Sequence, residues 1–463
     1  MIDSINATNN FLSYILIVAL LGLAIYFSFK SKFVQFRMIK EMFKLLSDST
    51  EKRNKSKHIS SFQAFAVSLA SRVGTGNLAG VATAIFLGGP GAIFWMWVIA
   101  LLGSVNAFIE ATLAQLYKTQ SKDSYIGGPA YYMEKGMKKR WLGIIFAVLI
   151  CITFGFAFNS VQSNTICAAI KESFGFSPYI LGIILTTLTL VIIYGGIHRI
   201  AKVSSIIVPI MALGYIILAI FIVITNISKL PDVLSTIFSA AFGWEQAVSG
   251  GFGAIVMQGI KRGLFSNEAG MGSAPNAAAT ATVSHPIKQG LIQTLGVFVD
   301  TILICSCTAF IILINIEHAS PDANGIVLAH QMLSYELGNF GGLFLVIAIF
   351  LFAFSSILGN YYYGETNIMF ISKKKWLLHT YRIVVAAMVM FGSVISLSLA
   401  WSLADITMSL MTICNLIALY FLGSKTFVLL KDYCTQKAKG IASPIFKKAD
   451  HIEFKNDSSI DSW

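Results

Sequence analysis

The chain has 463 residues, 56% of them hydrophobic and only 12% charged, with 34 Lys and Arg against 22 Asp and Glu for a net charge of +12. Soluble proteins carry about 25% charged residues, so composition argues against a soluble enzyme, a disordered chain and a nucleic-acid binder. A mean hydropathy of +0.73, with apolar runs along the whole length, implies an all-α polytopic membrane protein.

Lipid offers the backbone no hydrogen-bond partner, so an apolar stretch of about 20 residues spans it as a helix. Eleven such stretches occur, at 12–29, 61–87, 92–117, 142–170, 179–197, 203–225, 246–284, 290–315, 341–364, 379–399 and 403–427. Met1–Asn10 contains no Lys or Arg, so residues 1–30 read as an extra span and not as a leader. The basic segment 31–60 contains FVQFRMIKEMFKLL, apolar at helical spacing, which predicts an interfacial amphipathic helix. The remaining spans divide into two sets of five, 61–225 and 226–427, and the tail 428–463 is polar and expected to fray after Lys431.

Cytoplasmic loops accumulate Lys and Arg. Alternate loops hold nine, six, two, three, four and seven of them, 31 of the 34, with Lys261, Arg262 and Lys288 sharing one loop. The opposite side holds Lys171 and Lys229, and Arg72 lies within a span. The amino terminus is therefore expected outside, the carboxyl terminus in the cytoplasm, and the number of spans odd. Neither the six cysteines nor the seven histidines show metal-ligand spacing, so no metal centre, disulfide framework or cofactor is expected.

Two spans are interrupted, and irregular backbone at membrane depth is tolerated only around a cavity or ion site. In SFQAFAVSLASRVGTGNLAGVATAIF, Arg72 precedes Gly74, Thr75, Gly76 and Asn77. A charge at that depth is functional by default, although Gly76 and Gly80 also have the spacing of a close-packed helix face. In GIKRGLFSNEAGMGSAPNAAATATVSHP, polar residues from Lys261 to Glu268 are followed by Gly270, Gly272 and Pro275. The small residues Ala277–Thr282 suit a half-helix packed inside the protein. With the first span set aside, these are the first and sixth of ten, corresponding positions in two halves of opposite direction. That is the pattern of an inverted-repeat secondary transporter.

The stretches SLASRVGTGNLAGVATAI, GGPAYYMEKG, RGLFSNEAGMGSAPNAAATA and GVFVDT closely resemble the alanine or glycine:cation symporter family, the sodium–alanine symporters of bacteria and archaea, from about residue 12 to about 430. The resemblance implies the five-plus-five fold of the bacterial leucine transporter within the amino acid–polyamine–organocation superfamily. It also implies import of a small neutral amino acid with sodium across a plasma (inner) membrane. By the same resemblance, sodium would lie between the carbonyls of Ala70 and Val73 and the hydroxyls of Ser355 and Ser356. Those hydroxyls can equally bond back to their own helix.

Freed N–H groups around Gly74, Thr75, Gly76 and Asn77 carry partial positive charge and suit a substrate carboxylate. The ammonium would meet the sixth core helix, with Ser266 and Asn267, and Gln162, which resembles a substrate-contacting glutamine of the family. Phe265 and Met271 would close a pocket sized for alanine or glycine. Many members carry Gly-Trp where this chain has Gly359–Asn360. Asn360 would make the pocket larger and more polar, which admits serine or a similar residue. Glu110 and Glu365 are expected near span ends in solvated or gate-pairing roles. Asp300 is a candidate partner for Arg72, Lys261 or Arg262, or alone a proton carrier, so proton coupling is the alternative to sodium. A sensor of the same fold would differ only in not transporting. A channel lacks support because the two breaks are unlike, and an enzyme because no His or carboxylate cluster is apparent.

Overall fold

The computed structural model describes residues 2–47, 59–121, 124–242 and 251–463. Residues 48–58 of the basic segment, with Lys52, Arg53, Lys55 and Lys57, and residues 246–250 of the seventh expected span lie outside them.

In chain order the helices are α1 (Ile2–Lys30), α2 (Ile39–Ser47), α3 (Ser61–Arg72), α4 (Val81–Gly88) and α5 (Gly91–Leu116). A two-residue hairpin, β1 (Thr119–Gln120) with β2 (Tyr125–Ile126), precedes α6 (Pro129–Met137). Then come α7 (Arg140–Ile152), α8 (Asn159–Phe174), α9 (Pro178–Ile193), α10 (Gly196–Thr225), α11 (Leu230–Ala241), α12 (Gly251–Asn267) and α13 (Pro275–Ala278). The last group is α14 (Pro286–Val297), α15 (Ser306–Leu313), α16 (Ile326–Leu337), α17 (Asn339–Ile371), α18 (Lys375–Val394) and α19 (Leu397–Ala438). Proline at the first turn of α6, α9, α13 and α14 starts these helices without sacrificing an intrahelical bond. Ser60 and Gln63 close a reciprocal capping box on α3.

Among the described residues, eight helices are long and apolar enough to cross a membrane. Three of the expected spans consist of shorter pieces: α3 followed by the helical stretch Gly76–Gly88, then α9, then α12 followed by α13. The last two spans divide earlier than expected, since α18 ends at Val394 and α19 begins at Leu397 behind a Ser396 cap. Both α11 and α16 belong to no expected span; at 12 residues each they are too short to cross. The small-residue run is also less helical than expected. α13 is one turn, after which Thr282 N donates to Ile59 O at 3.1 Å.

Helix α17 packs on α3, α7, α8 and α10, while α5 holds α12 and α14. Among the described residues, three π-helical turns, Gly76–Gly80, Thr153–Phe158 and Phe298–Cys305, interrupt otherwise helical segments. Such turns re-aim side chains and concentrate at functional sites.

The amphipathic segment forms α2, which buries Met42 and Leu45 and packs on α14. The tail does not fray. α19 runs to Ala438, and Phe446, Phe454 and Ile460 are buried beyond it. Phe446 N donates to Ser284 O at 2.9 Å, and Trp463 Nε1 to Gln115 O at 2.8 Å. Its scattered aromatic residues, diluted among polar ones, supply the anchor that composition conceals.

Candidate functional site

Helix α3 stops where Val73 leaves helical geometry at ψ 88°. The freed amides are already paired inside the protein. Gly74 N donates to Asn77 Oδ1 and Thr75 N to Gln162 Oε1, each at 2.9 Å. On the opposite side, Ser356 Oγ of α17 lies 2.8 Å from Ala70 O and 3.4 Å from Val73 O. A side chain at Gly74 would collide with Ser356 Oγ and come to 2.9 Å from Gln162 Oε1. Glycine is required here by space. Ser355 does not join this group: its hydroxyl bonds Phe352 O at 2.9 Å and faces Met211 of α10.

The second break begins at Glu268 and lasts until α13. Here the requirement is torsional, with φ of 58° at Glu268, 86° at Gly270 and 82° at Gly272. Glu110 of α5 holds the loop, accepting from Gly270 N at 3.2 Å, Gly272 N at 2.9 Å and Asn415 Nδ2 at 3.0 Å. Glu110 is therefore neither solvated nor part of a gate pair; it is fully buried and caps backbone. Glu365 does pair, with Arg382 at 3.6 Å.

The breaks meet where Gly76 packs on Phe265 and Ser266, leaving a side chain at Gly76 only 3.0 Å from Ser266 Cα. Phe265 packs between Phe158, 4.3 Å away between ring centroids, and Trp401, 4.6 Å away, with both pairs of rings tilted. Met271 is fully buried within the second break. The Ser266 and Asn267 side chains are committed to the third π turn, donating to Asp300 Oδ2 at 2.8 Å and Thr301 Oγ1 at 3.2 Å. Asn77 is committed likewise, donating to Asp300 Oδ1 at 2.7 Å. Asn360 reaches the breaks indirectly, through Ser71 Oγ at 2.7 Å. Thr75 Oγ1 is buried and without a partner among the described residues.

Asp300 is not the partner of the buried cations. Its carboxylate takes three neutral donors, from Asn77, Ser266 and Thr301. Lys261 and Arg262 instead share Asp405 of α19, both at 2.8 Å. They are not loop residues on the face of the tail: Lys261 Nζ also donates to Asn9 Oδ1 at 3.2 Å, beside the start of α1. A run of charged residues looks like a loop in a one-dimensional reading, and only the distant Asp405 makes burial tolerable. Arg262 also lies over the Trp401 ring, 4.2 Å from its centroid. A cavity of about 690 Å³ opens above this ion triad, lined by Asn9, Thr83, Gln258, Asn324 and Ser398 among others. Arg72 is buried, with Nη1 donating to Gln293 O at 3.2 Å.

The model of the sodium:alanine symporter family matches residues 1–448. The chain belongs to that family. A probable sodium/glutamine symporter, GlnT of Bacillus subtilis (strain 168), is 53% identical over 97% of this chain and 93% of its own. The sodium/alanine symporter AgcS of Methanococcus maripaludis is 39% identical over 91% of this chain and 95% of its own. Among solved structures, MhsT in complex with L-phenylalanine is similar in fold. Its TM-score is 0.60 at 15% identity, covering 78% of this chain and 89% of that one. This member of the sodium:alanine symporter family is thus a multi-pass membrane protein of the amino acid symporter kind, a transporter and not an enzyme.

Proposed function

We propose that the chain is a sodium-coupled importer of small neutral amino acids working by alternating access. It would sit in a bacterial or archaeal plasma membrane, with the amino terminus outside and the tail in the cytoplasm. In this reading the bundle is one extra helix plus two inverted sets of five, whose first and sixth members are the broken segments around Gly74 and Gly270. The observation that carries it is the approach of Ser356 Oγ to the Ala70 and Val73 carbonyls at the first break. Three oxygens from two helices, with no nitrogen or sulfur donor, suit a hard cation, so sodium would join the two helices that must move relative to each other. Ser355, turned towards Met211, would join only after a rotamer change. The substrate carboxylate would take the Thr75 amide and hydroxyl once Gln162 releases the former. The aromatic residues Phe158, Phe265 and Trp401 would close over the side chain. The Lys261–Arg262–Asp405 triad, beneath the open cavity, would be the outer gate.

Alanine and glycine are the substrates of the leading reading. A second reading, glutamine, is favoured by Asn360, whose amide sits where many members have tryptophan, and by the name of the relative 53% identical to this chain. Uptake of radiolabelled alanine, glycine and glutamine into vesicles, under separate sodium, potassium and proton gradients, tests both. Uptake indifferent to sodium, or absent for all three, would overturn the proposal.

A further inference from the structure

A chain of hydrogen bonds joins four helical segments beside the two breaks. Asn159 Nδ2 of α8 donates to Gly155 O at 3.3 Å. Asn360 Nδ2 of α17 donates to Asn159 Oδ1 at 3.0 Å. Asn360 Oδ1 then faces Ser71 Oγ of α3 at 2.7 Å, and Ser71 Oγ faces Glu268 Oε1 at 2.7 Å. Every member is buried.

The direction of this chain is fixed at one end. Gly155 O is a backbone carbonyl and can only accept, so Asn159 must present its amide nitrogen there and its oxygen to Asn360. Asn360 must in turn present its oxygen to Ser71. Reversing either amide would set two acceptors against each other without water to separate them. Ser71 has one hydroxyl proton but two acceptors at equal distance. If it serves Asn360, Glu268 must supply the other proton; if it serves Glu268, Asn360 Oδ1 is left against a lone pair. One proton is missing from the count, and Glu268 is the group that can hold it.

We infer that Glu268 is a proton-binding site, neutral in this conformation and donating from Oε1 to Ser71 Oγ. The other buried carboxylates do not compete: Asp405 is paired with Lys261 and Arg262, and Glu365 with Arg382. Glu110 accepts from Gly270 N, Gly272 N and Asn415, and Asp300 from Asn77, Ser266 and Thr301, so each has three donors as an anion. Glu268 has only Ser273 Oγ, at 2.6 Å on Oε2, as an undivided donor. The charged and titratable groups facing it are Arg72 from α3, Asp300 from the third π turn and Tyr363 from α17. Arg72 keeps Nε and Nη2 without partners among the described residues, so no ion pair with it replaces the proton.

The proton joins α3 and the end of α12 to α17 and α8. Its loss leaves an acceptor pair at Ser71 that pushes these pairs of helices apart. That transport consequence rests on the symporter reading; the proton's place on Glu268 does not.

The two are tested separately. Infrared difference spectra of the purified full chain, taken across a pH titration, should show the carbonyl band of a protonated carboxyl. The band should be lost in Glu268→Gln and kept in Glu110→Gln and Asp300→Asn. A band that survives E268Q, or vanishes in either other variant, overturns the assignment, and the latter two decide the matter even where E268Q does not fold. In vesicles, wild-type uptake should fall about tenfold as pH rises from about 6 to about 9, as expected for loss of one buried charge-linked hydrogen bond, whereas E268Q should vary less than about twofold. Superimposable pH profiles would overturn the coupling. An intact band with no sodium-driven uptake would instead remove the symporter reading and leave the proton site standing.

Discussion

The two breaks share a pair of glycines beside polar residues, yet they solve different problems. At Gly74 the backbone needs room, because Ser356 and Gln162 occupy the volume a side chain would take. At Gly270 and Gly272 the backbone needs left-handed torsions, and the carboxylate of Glu110 pays for them by binding both amides. One break is shaped by what approaches it, the other by what anchors it. A helix interruption that is crowded can register the arrival of a neighbour, whereas one that is capped can be released only by displacing its cap.

Replacing Glu110 by Ala should break the comparison most severely. It orphans two buried amides, each costing about 1–3 kcal/mol, while Asn415 Nδ2 keeps its bond to Gly270 O. Thermal unfolding in detergent should show a loss of at least about 2 kcal/mol, together with loss of uptake. A variant as stable as the wild type would mean that Glu110 is no anchor. Next, Gly74→Ala should keep the fold but lower uptake by up to about 100-fold, since overpacking costs about 1–3 kcal/mol in the geometry that matters. Normal uptake by that variant would show that the first break is not crowded in the working protein.

The serine pair sharpens the same contrast. Ser356→Ala should raise the sodium concentration for half-maximal uptake about tenfold, the worth of one strong oxygen contact. Ser355→Ala should raise it less than about threefold, because its hydroxyl faces Phe352 and Met211. Equal effects would move Ser355 into the ion's shell. The smallest effect concerns α2, tied to the end of α19 by Glu41 and Lys437 at 2.7 Å. Burial raises the Glu41 carboxyl, but bonds from Lys437 and Tyr433 outweigh it and hold it below the usual carboxylate range. The tie therefore persists above that range and is lost as pH falls through the lowered value. Glu41→Gln should expose the amides of α2 to hydrogen exchange by less than about 1 kcal/mol.

Much of the bundle was legible because lipid forces long apolar helices, and the position of each break because glycine and charge are costly at that depth. The neighbourhood of the first break was also legible, through the resemblance that brought Ser356 beside Ala70 and Val73. What escaped has one physical character: a buried polar group whose partner is remote or is backbone. Glu110 serves amides some 160 residues away, and Asp405 serves cations some 143 residues before it. No periodicity encodes a peptide N–H. The short helices α11 and α16 escaped because neither is long enough to register as a span.

The folded tail carries a consequence of its own. Phe446 is bonded to Ser284, Ser462 to the Lys118 carbonyl, and Asp461 to Lys135, so one strap stitches α6 to the segments that follow α5 and α13. The Trp463 indole lies over the Lys118 ammonium, 4.6 Å from it. While the strap stays seated those segments are held to one another, and an antibody or a fluorophore directed at Phe446–Trp463 would report whether it stays so during uptake.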